Sequence, residues 1–599
     1  MAEQAPSPHA EKVATVEELR SEGPLTVRLD GATIALFDHD GDVYAVDHRC
    51  PHMGFPLTEG TIEDGILTCH WHHARFELAC GDTLDPFADD VQTYPVTVRD
   101  GEIYVSSTRR HDKPPEEHWR DRLEHGLQEN LSLVIAKAVI GLKDAGVPAT
   151  VPVEIGTRFG THYRQDGWGR GLTTLGLMTN LLVDVRGEDR RRALYAGLSE
   201  VASECSGEPP FFAQEPLSTD DLPLERCKRW FRDNVDVRDS DGAERVIRAA
   251  IRADVDESDV AGLFAAAATD HLYLDTGHRL DFVNKAFETL DHIGWEHADD
   301  VLPSLVPGLA SASRAEESSS WRQPIDVAEL CFEAGEELPE LLERGEDETW
   351  TEPDDFGDLL LGDDPHAIMD GLTDAVADGA SAESLARAVT EAGASRVAQF
   401  GTSNEFSDWN TVHHTYTYLN AVHGLTRRTD HPEIYRGVFD GAMKVYLDRF
   451  LNMPAIPIPD PGSMGSEADR DPERIRDDLL ETFEIERDEE VDRAGRLVAA
   501  YLDAAGDVAA LKRDLGRALL REDVGFHTRQ NLEAAFTQWD RAEDPDRGRV
   551  HLIATARYLA AHTPTRRAGE QTFRIAERLN RGERIHEDPD DAALADADD

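Results

Sequence analysis

The 599-residue chain has only six cysteines, at positions 50, 69, 80, 205, 227 and 331. Thiols so few and so scattered exclude a disulfide framework and point to a reducing compartment. No run approaches the ~18 consecutive apolar residues of a membrane span. The first residues, MAEQAPSPHAEK, have neither the basic start nor the apolar stretch of a signal peptide, so a cytoplasmic location is expected. Positive charge is scarce: 61 Lys plus Arg face 119 Asp plus Glu, a formal charge of -58, and only eight of the bases are lysine. Such a surface repels phosphate backbones and anionic headgroups, so neither nucleic acid nor membrane is an expected partner. The acids run through every segment, which suits a halophilic, salt-rich cytosol where the Debye length falls to ~3 Å at 1 M. A protein that stays folded and active in dilute buffer would remove that explanation.

What the chain does contain is 40% hydrophobic and 30% charged residues, the mixture of a globular protein, at a length that suits about four domains of ~150 residues. From Leu25 to Val105 short β-strands alternate with tight turns: LTVRLDG, ATIALFDHDG, DVYAVDH, VQTYPVTVRDG and EIYVSS. Asp30-Gly31, Asp40-Gly41 and Asp100-Gly101 are hairpin dipeptides, because glycine accepts the positive φ of primed turns. A small antiparallel β domain is expected.

Two loops interrupt these strands. HRCPHMGFPL carries Cys50-x-His52, and LTCHWHHARFEL, sixteen residues on, carries Cys69-x-x-His72. Two Cys and two His in short pairs are metal-ligand spacing, and ligand count alone leaves zinc and iron both open. Each loop supplies one thiolate and one imidazole, whereas zinc fingers generally pair like with like. With its strands and glycine turns, the segment resembles a Rieske ferredoxin domain over residues 13–108, its C-x-H…C-x-x-H signature intact. The resemblance implies a [2Fe-2S] cluster, with one iron on Cys50 and Cys69 and the other on His52 and His72. Phe55 and the His70-Trp71 pair stand where the disulfide-bearing members of the family have extra cysteines. That implies a soluble-ferredoxin type of low potential, near ~-150 mV. Cys80 reads as a small buried hydrophobe and His73 as a solvent-facing residue.

After a connector at 109–130 the patterns change to Ala/Leu-rich segments with apolar residues at i, i+3, i+4 and i+7. The chain is therefore read as multidomain: an N-terminal small all-β Rieske domain, then a large all-α region of degenerate helical repeats. YLNAVHGLTRR near 418 echoes YLAAHTPTRR near 558, and QFGTSNEF near 399 echoes GFHTRQNLEAAF near 525. Three or four degenerate repeats are expected, near 131–206, 244–310, 366–450 and 497–580. Units one to three fill 131–450, a Pro-rich acidic linker covers 451–496, unit four covers 497–580, and 581–599 is an acidic tail expected to be disordered.

These helices carry polar residues where a plain core would not. Asp270, His271 and His278 fall on one expected helix, and EFSDWNTVHHTYTYLNAVH offers Glu405, Asp408, His413, His414 and His423. His527, His551 and His562 follow in the fourth unit. Facing helices build iron or manganese sites from such residues, so His271, His278, Glu405, His413 and His414 form a speculative second metal site. A hydrogen-bonded core network is the competing reading. Asp275-x-x-His278 begins the iron motif of ring-hydroxylating oxygenase α subunits, but Val283 stands where the next histidine is required. GWGRGL at 167–172 does not fit G-x-G-x-x-G, so no built-in NAD(P)H reductase is expected. The expected function is that of an iron-sulfur oxidoreductase component. It takes one electron from an external NAD(P)H-dependent flavin reductase or ferredoxin and passes it to a site in the helical region or to a partner. The alternative is a redox sensor or scaffold whose helices are a non-catalytic binding module.

Overall fold

The computed structural model describes residues 10–108, 113–218, 222–253, 255–404, 406–451, 454–581 and 583. Glu405 and nearly all of the acidic tail thus lie outside the described residues. The chain divides into two compact units, one running to Pro152 and rejoined from Gln571, the other spanning Val153–Glu570.

Among the described residues the first unit contains ten strands: β1 (Ala10–Thr15), β2 (Leu25–Leu29), β3 (Ala32–His39), β4 (Asp42–Asp47), β5 (Thr61–Glu63), β6 (Ile66–Thr68), β7 (Arg75–Glu77), β8 (Thr93–Tyr94), β9 (Val96–Arg99) and β10 (Glu102–Ser106). They form three antiparallel sheets in the orders β1-β10-β9, β2-β3-β4-β8 and β5-β6-β7. The Asp-Gly turns are as the sequence requires, with positive φ at both residues of each pair, and a fourth lies at Asp64-Gly65. Strand β3 separates two apolar cores, because successive side chains point to opposite faces. Ile34 and Leu36 enter one core with Leu19, Leu29 and Ile103, whereas Ala35 and Phe37 enter the other with Cys50, Leu67, Cys69 and Phe76. The second core is therefore the floor beneath the two Cys/His loops. Between β1 and β2, α1 (Val16–Glu22) is opened by a capping box, with Thr15 Oγ1 accepting from Glu18 N–H at 3.2 Å.

The segment expected to be a connector contains α2 (Pro115–Gln128), which forms a hairpin with α3 (Ser132–Asp144) inside this unit. Gly141 lets Trp119 lie against α3, since a Cβ there would sit 2.1 Å from the indole. The first expected repeat is accordingly divided between the two units. The expected linker likewise holds a helix, Pro472–Thr482, and the start of Asp488–Asp503. Both segments keep helical apolar spacing under a heavy acidic load, which obscures it in the sequence.

At the centre of the second unit, four helices close a ring: α4 (Arg170–Asn180), α5 (His278–Ile293), α6 (Phe406–Thr426) and α7 (Phe526–Arg541). Each comes from a different one of the four segments read as repeats. Cross-contacts advance in the same sense along each pair, as in His414 with His527 and His423 with Gln538, so the helices are parallel. Parallel neighbours need return crossings, and outer helices such as Ala382–Ala398 and Pro545–Ala561 pack behind the ring as they make them.

The ring interior is polar. Lys285, fully buried, donates to Glu288 at 2.7 Å and Glu533 at 2.8 Å, and Asn180 donates to the same two carboxylates. Burial opposes charge on Lys285, but Glu288 and Glu533 outweigh it and hold the ammonium above its ordinary range. The helix expected through 270–278 is broken. Glu257–Thr269 ends, then Tyr273, Asp275, Thr276 and Gly277 take φ of 46°, 47°, 57° and 91°, and α5 begins afresh at His278. No helix among the described residues is long and apolar enough to cross a membrane.

Candidate functional site

The two Cys/His loops are built alike. In the first, Cys50 N–H donates to Phe55 O at 2.8 Å; in the second, Cys69 N–H donates to Ala74 O at 2.8 Å. Each loop thus closes over five residues, helped by Gly54 at φ 81° in one and His73 at φ 62° in the other. Closure turns both thiols inward, where Cys50 and Cys69 are 3% and 1% exposed. His52 is half-buried and His72 exposed, with ring centroids 4.8 Å apart.

The electrostatics favour a thiolate at Cys69 and a neutral imidazole at His52. Cys50 and Cys69 share a hydrogen bond that pulls the Cys69 thiol down to about 6 and pushes Cys50 up. Backbone N–H groups of Trp71 and His72 on Cys69, and of His52 and Met53 on Cys50, favour negative charge on both sulfurs. Burial, then Lys137 and His72, lowers His52 to about 4, so its ring is neutral at pH 7 with a free lone pair. Two buried sulfurs lined with N–H donors, beside two adjacent imidazoles, fit a thiolate/imidazole cluster. Lys137 on α3 reaches this loop from the helical hairpin, its ammonium donating to Pro51 O and His52 O at 2.7 Å each. Burial lowers the Lys137 pKa, while Asp89 and Cys50 pull the other way. Cys80 is half-buried, less enclosed than expected, and its thiol is raised to about 11, chiefly by burial.

The helical histidines separate into two groups. Because the break before α5 redirects the chain, His271 lies away from His278, held by Glu316 at 2.8 Å and Asp236 at 3.1 Å. His413 is a buried core residue whose ring nitrogens meet Gln530 at 3.4 Å and Asn531 at 3.3 Å. Neither belongs to a shared site. His278 and His414 do come together, and the third member is His527, whose ligand atom lies with theirs inside a 4.8 Å span. His414 Nε2 and His527 Nε2 are 3.0 Å apart. Burial above all, then neighbouring histidines or arginines, lowers His278 to about 3, His414 to about 2 and His527 to about 4. His527 stands out in the sequence only as one of several fourth-unit histidines, and its echo of unit three gives no register that pairs it with His414. Beside the trio lies a cleft of about 1090 Å³, which His278 lines together with Trp168, Arg170, Asp275, Arg279 and Phe282.

Residues 9–95 match the family model described as the Rieske [2Fe-2S] domain. The chain is 44% identical over 96 residues to a 3-phenylpropionate/cinnamic acid dioxygenase ferredoxin subunit from Photorhabdus laumondii, a match covering 16% of this chain and 90% of that one. It is 30% identical over 93 residues to the ferredoxin component of naphthalene 1,2-dioxygenase/salicylate 5-hydroxylase systems from Ralstonia sp, covering 15% and 89%. Among solved structures, the ferredoxin of carbazole 1,9a-dioxygenase from Nocardioides aromaticivorans IC177 matches at 26% identity and a TM-score of 0.16, covering 16% of this chain and 98% of that one. Through its N-terminal domain the chain belongs to the Rieske [2Fe-2S] family, and that domain is a ferredoxin-type electron-transfer module that binds a [2Fe-2S] cluster.

Proposed function

We propose that the chain is an iron-sulfur oxidoreductase component. Cys50, His52, Cys69 and His72 hold its cluster, an external NAD(P)H-dependent flavin reductase or ferredoxin reduces it, and the electron passes to a site in the helical unit or on an oxygenase-type partner. The observation that carries this reading is the convergence of one cysteine and one histidine from each of two similarly closed loops. The cluster supplies reversible one-electron transfer. The chain's own residues set its conditions. Cys50 and Cys69, on the apolar floor of Leu67 and Phe76, keep the sulfurs out of water. His52 remains neutral beside its carbonyl-bound loop, and the exposed ring of His72 marks the edge at which a partner comes nearest.

The dithionite-reduced full chain tests this by EPR. A rhombic signal of the mixed thiolate/imidazole type, absent from Cys50→Ser and Cys69→Ser, is expected. A colourless, EPR-silent preparation with intact secondary structure sinks the reading. Oxygen uptake in excess of cluster autoxidation, measured with a generic flavin reductase, then separates an oxygenase component from a simple carrier.

A further inference from the structure

We infer that His278, His414 and His527 form a site for one divalent first-row transition-metal ion in the helical unit, open toward the cleft beside Trp168, Arg170 and Phe282. The inference stands apart from the cluster reading, since none of these residues belongs to the N-terminal unit.

Two features carry it. The first is convergence: three imidazoles from three helices of the ring place their ligand atoms within 4.8 Å of one another. An ion with metal–nitrogen bonds of ~2.0–2.1 Å sets tetrahedral nitrogens about 3.4 Å apart, so modest ring rotation about χ2 completes the site. The second is a contrast with the other histidines of the ring and of the helix packed behind it. His413 is engaged by Gln530 and Asn531, His423 by Gln538 at 2.9 Å, and His551 by the Tyr416 hydroxyl at 2.9 Å. Within the trio, and among the described residues, the His414 and His527 ring nitrogens hydrogen-bond only to each other, one ring's N–H donating to the other's bare nitrogen, and the His278 ring has no hydrogen-bond partner. A metal ion takes the place of that one proton and engages all three rings.

Three neutral nitrogen donors suit zinc, iron(II), cobalt(II), nickel or copper rather than magnesium or calcium. The fourth position belongs to an anion. α4, α5 and α7 all begin at this end, at Arg170, His278 and Phe526, so their positive dipole ends converge there. The Arg170 guanidinium lines the same cleft as His278 and adds to that field. The ion's charge therefore has no carboxylate to neutralise it among its three ligands, and a small anionic ligand such as a carboxylate or hydroxide, entering from the cleft, completes the site.

Metal analysis of the full, cluster-loaded chain tests the inference. One transition-metal ion per chain beyond the cluster's two irons is expected. His278→Gln, His414→Gln and His527→Gln should each lose it while keeping both irons and the reduced-cluster EPR signal; Cys50→Ser should show the reverse pattern. Titration of the metal-stripped helical site with Co(II) should give visible d–d bands that azide shifts. Each glutamine variant should weaken Co(II) binding by more than the roughly 10- to 100-fold that loss of a ligand's outer hydrogen-bond partner costs. His271→Ala should bind as wild type. Equal Co(II) binding by wild type and the triple glutamine variant, or no binding to wild type at micromolar Co(II), overturns the site. Bands that azide leaves unmoved overturn the open position. Helical circular dichroism and the cluster signal report folding in every variant.

Discussion

The two histidine-bearing regions of this chain are built by opposite means. In the N-terminal unit the four candidate ligands lie within a 23-residue stretch, Cys50 to His72, in two loops that one hydrogen bond each folds into shape. In the helical unit the three converging histidines lie more than a hundred positions apart and meet only because four parallel helices close a ring. Local closure makes the first site a property of its loops. The second depends on the packing of an entire unit, whose polar interior must itself be held together.

The sharpest way to break this comparison is Cys50→Ser. It should remove the cluster's absorption and EPR signal completely while leaving the helical unit's thermal transition in place; loss of both together would mean that the two regions are not separately built. The next largest effect is expected at Lys285. Lys285→Met leaves Glu288 and Glu533 buried without their cation, which costs about 3–5 kcal/mol, read as a lowered denaturation midpoint with the cluster signal retained.

Acid should separate the regions too. His423 in the ring and His551 on the helix behind it are buried and neutral, burial lowering them to about 4 and about 3. Their folded pKa lies below the unfolded ~6.5, so the unfolded chain binds protons first, and stability declines as pH falls through 6.5 toward 4 and 3. The slope approaches roughly 1.4 kcal/mol per pH unit for each histidine. Urea midpoints measured across this range should flatten in His551→Gln. An unchanged slope would show that this ring is not what acid attacks.

The smallest effect is expected at Lys137. Lys137→Met removes a positive charge and two hydrogen bonds from the first loop, so the cluster potential should fall by tens of millivolts, measured by redox titration. An unchanged potential would confine Lys137 to a mechanical role.

Much of the N-terminal unit is legible because its rules act over a few residues. Asp-Gly pairs demand positive φ, and alternating apolar residues mark β3 as a strand. The short strands β5 to β7 are not legible in this way, since runs as short as three residues carry no period. The helical character of the remainder is equally plain from its spacing. Its site is not. Periodicity places His271 and His278 on one face, but left-handed residues at 273–277 break that helix, and only Gly277 advertises the break. His413 and His414 are adjacent in sequence and both rings lie near His527, yet His413 is engaged by Gln530 and Asn531 while His414 presents its Nε2 to His527.

The sequence alone determined the class of each unit, the candidate donor set of the two Cys/His loops and the acidity of the chain, because turn chemistry, short ligand spacing and charge are local or additive. Tertiary structure alone decided that α2 and α3 belong with the β domain, that Lys137 grips the first loop, and that His527, not His271, completes the trio. These are contacts between residues far apart in the chain, and helix period fixes only which face a side chain occupies. Which helix that face meets follows from the packing of the whole ring.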